Sequence, residues 1–140
     1  MSTTLIVANQ TLGGDALTER IRATRRDGDR DFYVVVPATP PKDHLTWTEG
    51  EARTIAAERL AACLARLRED AIVADGEVGD ANPVMAVEDT IRHHEFDSII
   101  VATLPAGVSR WLKMSLPDRL ARKTGLPVEH VVVAPADSSA

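Results

Sequence analysis

The sequence predicts an α/β protein with one domain, built on a doubly wound sheet of five parallel strands. Short apolar runs rich in Val and Ile alternate with amphipathic helical segments along the 140 residues. Several of these runs are apolar at consecutive positions rather than at every second one, which is typical of strands that are covered on both faces. Right-handed crossovers between such strands give the order 3-2-1-4-5, an arrangement of the Rossmann-like type.

Five runs are predicted to be strands. They cover residues 5–8 (LIVA), 32–36 (FYVVV), 71–78 (AIVADGEV), 98–102 (SIIVA) and 128–134 (VEHVVVA). The third is the weakest, because acidic residues and a glycine interrupt it. We expect residues 1–134 to form the domain and residues 135–140 (PADSSA) to be a loose tail.

Start and stop signals place four helices between the strands. The first follows Gly13-Gly14 and turns Leu17 and Ile21 towards the core, with an Arg-rich outer face that is expected to be solvated. Two later helices begin with a capping residue and an early proline, Asn82-Pro83 and Ser115-Leu-Pro, and the last helix ends at a glycine, Gly125.

The helix before the third strand has the longest apolar stripe. Thr48 and Glu51 have the spacing of a capping box, in which a hydroxyl and a carboxylate bond to the first helical amides. An apolar stripe then continues to about residue 70, through Ala52, Ala56, Leu60, Leu64 and Leu67. Cys63 lies beside this stripe and is expected to be buried and inert.

Composition limits the class of protein. A net charge of −5 argues against general nucleic-acid binding, because that requires a basic surface. No apolar run approaches the roughly 20 residues that span a bilayer, and the N-terminus lacks the pattern of a signal peptide. Cys63 is the only cysteine, which excludes an internal disulfide and suits a reducing compartment. We therefore expect a cytoplasmic protein that binds neither nucleic acid nor membrane.

Known catalytic motifs are missing from the sequence. It contains no Gly-x-Ser-x-Gly elbow, no Walker-type phosphate loop and no Gly-x-Gly-x-x-Gly after the first strand. His93 and His94 are adjacent on a predicted helix and therefore face different directions, so a metal site is not expected there. His44 and His130 have no recognisable partner in the sequence. Trp111 is expected to be a core or interface contact, with stacking on a base as the less favoured alternative.

The order of motifs resembles the universal stress protein family over nearly the whole chain. Most of the likeness lies in the second half: residues 79–83 (GDANP), a helix, residues 96–103 (FDSIIVAT), a loop and a helix, then residues 125–128 (GLPV) and an apolar strand. The resemblance implies the adenine nucleotide alpha hydrolase-like variant of the Rossmann-like fold. It also implies homodimers that form through the last strand, in which Val131, Val132 and Val133 would take part.

Some members of that family bind ATP through a motif, Gly-x2-Gly-x9-Gly-Ser/Thr, that follows the fourth strand. Without gaps, the four motif positions fall on Ala102, Pro105, Ser115 and Leu116, and none of them matches. Proline has no N–H to offer a phosphate. The Asp that usually ends the first strand in this family falls on Asn9. The resemblance therefore implies a member that holds no cofactor tightly, although an adenine nucleotide remains a weaker alternative.

Ligands of open α/β sheets bind beyond the carboxyl ends of the strands. The candidate ligand-binding residues at these ends are Ala8, Asn9, Val36, Pro37, Thr103, Gly107, Ser109, Arg110, Lys113 and Ser115. A small anion is the ligand that fits best, because basic residues outnumber acids between positions 103 and 123, where Asp118 is the one acid. A purely structural loop with a solvated basic face is the competing interpretation.

The sequence thus favours a non-catalytic stress-response or regulatory module that acts by interaction or by sensing a small anionic ligand. The alternative is an adenine-nucleotide-binding protein or a nucleotide-dependent hydrolase on the same fold. No catalytic residue and no metal ligand is predicted.

Overall fold

The computed structural model describes residues 2–9, 11–12, 15–26, 30–38, 49–104, 111 and 115–133. Strands and helices alternate in this part of the chain. In chain order they are β1 (Ser2–Val7), α1 (Asp15–Arg26), β2 (Arg30–Pro37), α2 (Glu49–Glu69), β3 (Ala74–Gly79), α3 (Pro83–His93), β4 (Ser98–Thr103), α4 (Leu116–Thr124) and β5 (Val128–Val132). Thr48, the first residue of the predicted capping box, lies outside the described residues.

The sheet has the predicted order β3-β2-β1-β4-β5, and every neighbouring pair of strands is parallel. β1 lies at the centre, paired with β2 from Ser2 opposite Arg30 and with β4 from Thr4 opposite Ser98. The order reverses between β1 and β4, so the carboxyl ends of these two strands flank the topological switch point, where ligands of such sheets bind.

One face of the sheet is covered by α1 and α2. Ile6 and Val34 point to this face, where they meet Leu17 and Ile21 of α1 and Ala56 of α2. All five side chains are almost completely buried. Burying an aliphatic side chain of this size stabilises the fold by about 1.5–3 kcal/mol, so the central strands anchor both helices.

The opposite face is covered by α3 and α4. Leu5 and Val7 alternate with the residues of the first face and pack against Val87 of α3 and Leu116 and Leu120 of α4. Because β1 is apolar on both faces, the consecutive apolar pattern of its sequence is explained by two buried layers.

The predicted caps of α3 and α4 are only partly confirmed. Asn82 accepts hydrogen bonds from the amides of Val84 and Met85, at 2.9 and 3.4 Å, and Pro83 fills the first helical position. Gly125 ends α4 with a left-handed backbone, φ 72°. Ser115 departs from the prediction: it precedes α4, but its backbone is left-handed (φ 55°) and its side chain makes no capping bond.

α2 ends in a Schellman motif, which delays the start of β3. The amide of Ile72 donates to the carbonyl of Leu67 at 2.9 Å, and that of Ala71 donates to Arg68 at 3.0 Å. Ala71 has a φ of 58°, at the position where helices usually place glycine. The strand predicted from residue 71 therefore begins at Ala74, because these residues close the helix instead.

The basic face of α1 is not simply solvated. Arg20 forms a two-pronged ion pair with Glu129 of β5, and Arg22 donates to Asp70 at 2.7 Å, just after α2. These partly exposed ion pairs connect α1 to β5 and to the end of α2. Each pair of this kind contributes only about 0.2–1 kcal/mol to the stability of the fold.

Candidate functional site

The carboxyl ends of β1, β2 and β4 lie together at one end of the sheet. The sequence predicted a site at this end. Ala8 and Val36, two of the predicted site residues, are completely buried in the core below α1 and α2. Their side chains cannot reach a ligand. Their contribution to a site is limited to the backbone, and the polar groups come from the residues that follow them.

Asn9 is the central polar residue at the end of β1. Its side chain is almost fully buried, with 7% exposed. The amide nitrogen donates to the carbonyl of Pro37 at 2.8 Å, and the amide oxygen accepts a hydrogen bond from Arg59 Nη1 at 2.6 Å. An aspartate in this place would have no hydrogen to give to the Pro37 carbonyl. The amide is therefore the group that fits both neighbours.

Arg59 was not among the residues predicted from the sequence. It lies on α2, where buried Ala52, Ala56 and Cys63 are spaced so that position 59 faces the sheet with them. Its side chain is only partly exposed. Burial lowers the pKa of the guanidinium, since the charged form loses solvent. The signal that could have revealed Arg59 is this charge at an apolar stripe position.

Hydrogen bonds also connect the polar groups at the carboxyl end of β4. Thr103, 2% exposed, is joined through Oγ1 to Nε2 of His130 at 2.7 Å, and its carbonyl accepts from the amide of Val133 at 2.8 Å. The hydroxyl of Thr11 donates to the carbonyl of Ala102 at 3.3 Å. His130, for which the sequence suggested no partner, thus pairs with a predicted site residue across two strands.

Four of the six predicted site residues between Thr103 and Ser115 cannot be compared with the structure. Gly107, Ser109, Arg110 and Lys113 lie outside the described residues. Ser115 is described, and its left-handed backbone is the conformation that glycine adopts most readily. The resemblance puts the third glycine of the ATP motif at this position, so a side chain stands where the motif has none.

Trp111 and Cys63 are both buried and contribute to the packing of the core. Trp111 is 8% exposed and belongs to the apolar cluster of Leu116 and Leu120, as expected for a core contact. Cys63 is buried, and burial raises the pKa of its thiol to about 11. A thiol of this kind is protonated at neutral pH and is therefore a poor nucleophile.

No metal cluster or membrane-spanning helix is found in the described ranges. No three or more His, Cys, Asp or Glu side chains lie close enough there to hold a metal ion. None of the helices described is both long and apolar enough to cross a membrane.

An open groove of about 440 Å³ lies at the other end of the sheet, beside the amino ends of β1, β4 and β5. Thr4, Ser98 and the Arg20–Glu129 ion pair contribute to its wall. The hydroxyls of Thr4 and Ser98 are 2.9 Å apart and bond to each other. The groove is thus far from the predicted site, and its charged groups neutralise one another.

Comparisons with known proteins bear on the fold. No protein-family model and no curated protein matches the chain. Among solved structures, the crystal structure of a protein from the universal stress protein family from Burkholderia pseudomallei is similar, with a TM-score of 0.63 and 14% sequence identity. The match covers 93% of this chain and 95% of that one. The chain therefore has the fold of a universal stress protein.

Proposed function

We propose that this protein is a non-catalytic regulatory module of the stress-response type, which binds a small anion and does not hold ATP tightly. The observation that carries the proposal is the engagement of Asn9. Both polar atoms of its amide are used by the protein, one by Pro37 and one by Arg59. The residue that stands in the place of the family's aspartate is therefore held by two internal bonds and offers a nucleotide an amide instead of a carboxylate.

The sequence of the loop after β4 supports the same proposal. Pro105 offers no amide hydrogen, and Ser115 adds a side chain at a left-handed position. Each hydrogen bond to a charged group is worth roughly 1.5–3 kcal/mol. The loss of two such bonds would weaken a micromolar site by on the order of a hundredfold or more.

Calorimetric titration with Mg-ATP, AMP and inorganic phosphate tests the binding part of the proposal. Mg-ATP is expected to bind no better than the simpler phosphate compounds, and its affinity should fall as salt rises. The matched variant replaces Pro105 and Ser115 by glycine, which should improve ATP binding if the loop is the cause. Micromolar ATP binding that persists in high salt would contradict the proposal.

The alternative function, a nucleotide-dependent hydrolase, is tested by turnover. Protein purified without added nucleotide is denatured, and the supernatant is measured by absorbance and mass; phosphate release from ATP is followed separately. We expect neither copurified nucleotide nor turnover above the buffer blank. Sustained phosphate release would favour the enzyme.

The module is proposed to act as a cytoplasmic homodimer that pairs through β5. The lone cysteine suits a reducing compartment. Val132 is 50% exposed on this edge strand, whereas Val133 is completely buried and Val131 packs partly against the core. Of the three valines expected at a dimer contact, Val132 is therefore the one whose side chain is available.

A further inference from the structure

The bonding partner of Arg59 differs in charge from those of other arginines in the fold. Arg20, Arg22 and Arg92 each bind a carboxylate, from Glu129, Asp70 and Asp89 respectively. Arg59 binds the neutral amide of Asn9. Within the described ranges, Asn9 is its hydrogen-bond partner and no carboxylate contacts its guanidinium. The positive charge of Arg59 therefore remains uncompensated by these residues.

The position of Arg59 makes this charge relevant to binding. Burying a charge without a counter-ion is costly, and burial already lowers the pKa of this guanidinium. The group nevertheless stays charged at neutral pH, because arginine is not deprotonated in proteins. A guanidinium has five N–H donors in a planar fork. Asn9 occupies Nη1, which leaves the other donors of the fork to meet an oxyanion in a two-pronged geometry.

Asn9 fixes the position of the Arg59 guanidinium. Its nitrogen is held by the Pro37 carbonyl, so its oxygen has one orientation and presents a single acceptor to Arg59. An aspartate there would also bind Arg59, but it would cancel the charge and could not donate to the Pro37 carbonyl. The amide thus positions the guanidinium without neutralising it.

We infer that Arg59, positioned by Asn9, is the anion-binding group of this protein, and that its ligand carries a phosphate group, either free or on a small ester. The inference rests on the proposed function. It places the anion beside the ends of β1 and β2, on the other side of the switch point from the loop after β4, where the family's ATP motif would hold phosphates.

The test uses thermal unfolding and calorimetry with three probes at constant ionic strength: inorganic phosphate, ribose 5-phosphate and neutral ribose. Phosphate and ribose 5-phosphate should raise the unfolding temperature of the wild type, because they bind the folded state, and ribose should not. A stronger response to ribose 5-phosphate than to inorganic phosphate would identify the ester as the natural form of the ligand, and equal responses would identify the free anion.

Three variants assign the effect to the proposed pair. Arg59→Gln and Asn9→Asp should each weaken binding of the phosphate probes about tenfold to a hundredfold, the first by removing the charge and the second by cancelling it. Arg59→Lys keeps the charge without the fork and should retain part of the affinity. Arg92→Gln removes the same charge from an exposed position on α3 and should bind like the wild type.

The outcomes separate this inference from the proposed function. Phosphate also stabilises proteins without binding them, and Arg59→Gln measures that background. If the phosphate probes bind the wild type and all variants equally, the anion lies elsewhere and the inference is wrong, while the proposed function stands. If none of them binds the wild type in calorimetry, the proposal of an anion-binding module fails. If Arg59→Gln does not fold, as judged by circular dichroism, the comparison of Asn9→Asp with the wild type decides.

Discussion

The two edge strands of the sheet, β3 and β5, expose different kinds of side chain. β3 has the sequence ADGEVG, with Asp75 exposed and two glycines packed closely against the interior. β5 has the sequence VEHVV, with Val132 half exposed. Charged residues on an edge discourage pairing with another chain, whereas an apolar edge invites it. The proposed dimer uses this difference: β3 remains an edge, and β5 pairs with the partner strand through Val132.

Replacing Gly76 should produce the largest effect, because β3 lies tightly under α2. A Cβ atom on Gly76 would lie 2.4 Å from the carbonyl oxygen of Val34 and 2.7 Å from Cδ1 of Leu60. We expect Gly76→Ala to lower the free energy of unfolding by about 3 kcal/mol in urea denaturation, since backbone must move. Gly125→Ala, which meets no atom within 4 Å, is the matched control and should cost about 1 kcal/mol for its left-handed backbone.

A charge at Val132 tests the other edge. In the proposed dimer, Val132→Lys brings two like charges to a strand contact, and the dissociation constant should rise on the order of thirtyfold, or about 2 kcal/mol. Sedimentation over a range of concentrations measures this change. The control is Val73→Lys, just before β3, where the side chain is 67% exposed; it should leave sedimentation unchanged. A wild type that sediments as a monomer at roughly tens of micromolar would refute the proposed dimer.

The loss of stability at alkaline pH should come mainly from ionisable groups on the β3 side of the sheet. Folding raises the pKa of Cys63, on α2, to about 11, whereas an unfolded thiol titrates near 8.5. Between these values the unfolded chain binds fewer protons than the folded one, so stability is complete below about pH 8.5 and falls as pH rises to about 11, by on the order of 3 kcal/mol.

Urea titrations of the wild type and Cys63→Ala at several pH values measure the contribution of the thiol. The variant should lose the part of the slope that Cys63 contributes between about pH 8.5 and 11. Tyr33 remains in both proteins. Its pKa is also raised, chiefly by burial and then by its hydrogen bond to Glu77, so it adds a further loss of stability in both proteins that begins at about pH 10, where an unfolded tyrosine titrates. Parallel curves for the two proteins would show that Cys63 ionises as freely in the folded state as in the unfolded state.

Glycine replacements at two residues with a left-handed backbone should have the smallest effects on stability. Ala71 precedes β3 and Ser115 precedes α4, and both have φ near the value that glycine adopts most readily. Glycine removes a strain of about 1–2 kcal/mol but adds freedom to the unfolded chain, so each replacement should stabilise the protein by about 0.5–1 kcal/mol. A loss of stability in Ala71→Gly would show that its methyl group contributes packing that outweighs the strain.

Patterns that act over a few residues allowed most of the fold to be predicted from the sequence. The apolar runs, the Asn82-Pro83 start and the Gly125 stop each depend on neighbours in the chain, and the strand order followed from them. The start of β3 was misplaced because Ala71 takes a conformation that sequence patterns assign to glycine. The capping role of Ser115 was wrong for the same reason.

The candidate site was less predictable, because its bonds join distant parts of the chain. Asn9 was identified from its position at the end of β1, but its bond to Arg59 joins residues 50 positions apart. The bond between Thr103 and His130 spans 27 positions. No local period predicts which polar side chain will cross from a helix to the end of a strand; only the packing of α2 on the sheet decides it.

The central position of β1 has a consequence for protein synthesis. Of the five strands, β1 is made first, yet β4, one of its two neighbours, is made only after β2, β3 and three helices. Until Ser98–Thr103 has emerged, the nascent chain carries one unpaired edge of a strongly apolar strand, and such edges promote aggregation. The earliest of the five strands is thus among the last to be enclosed on both sides, and the emergence of β4 removes the exposed edge.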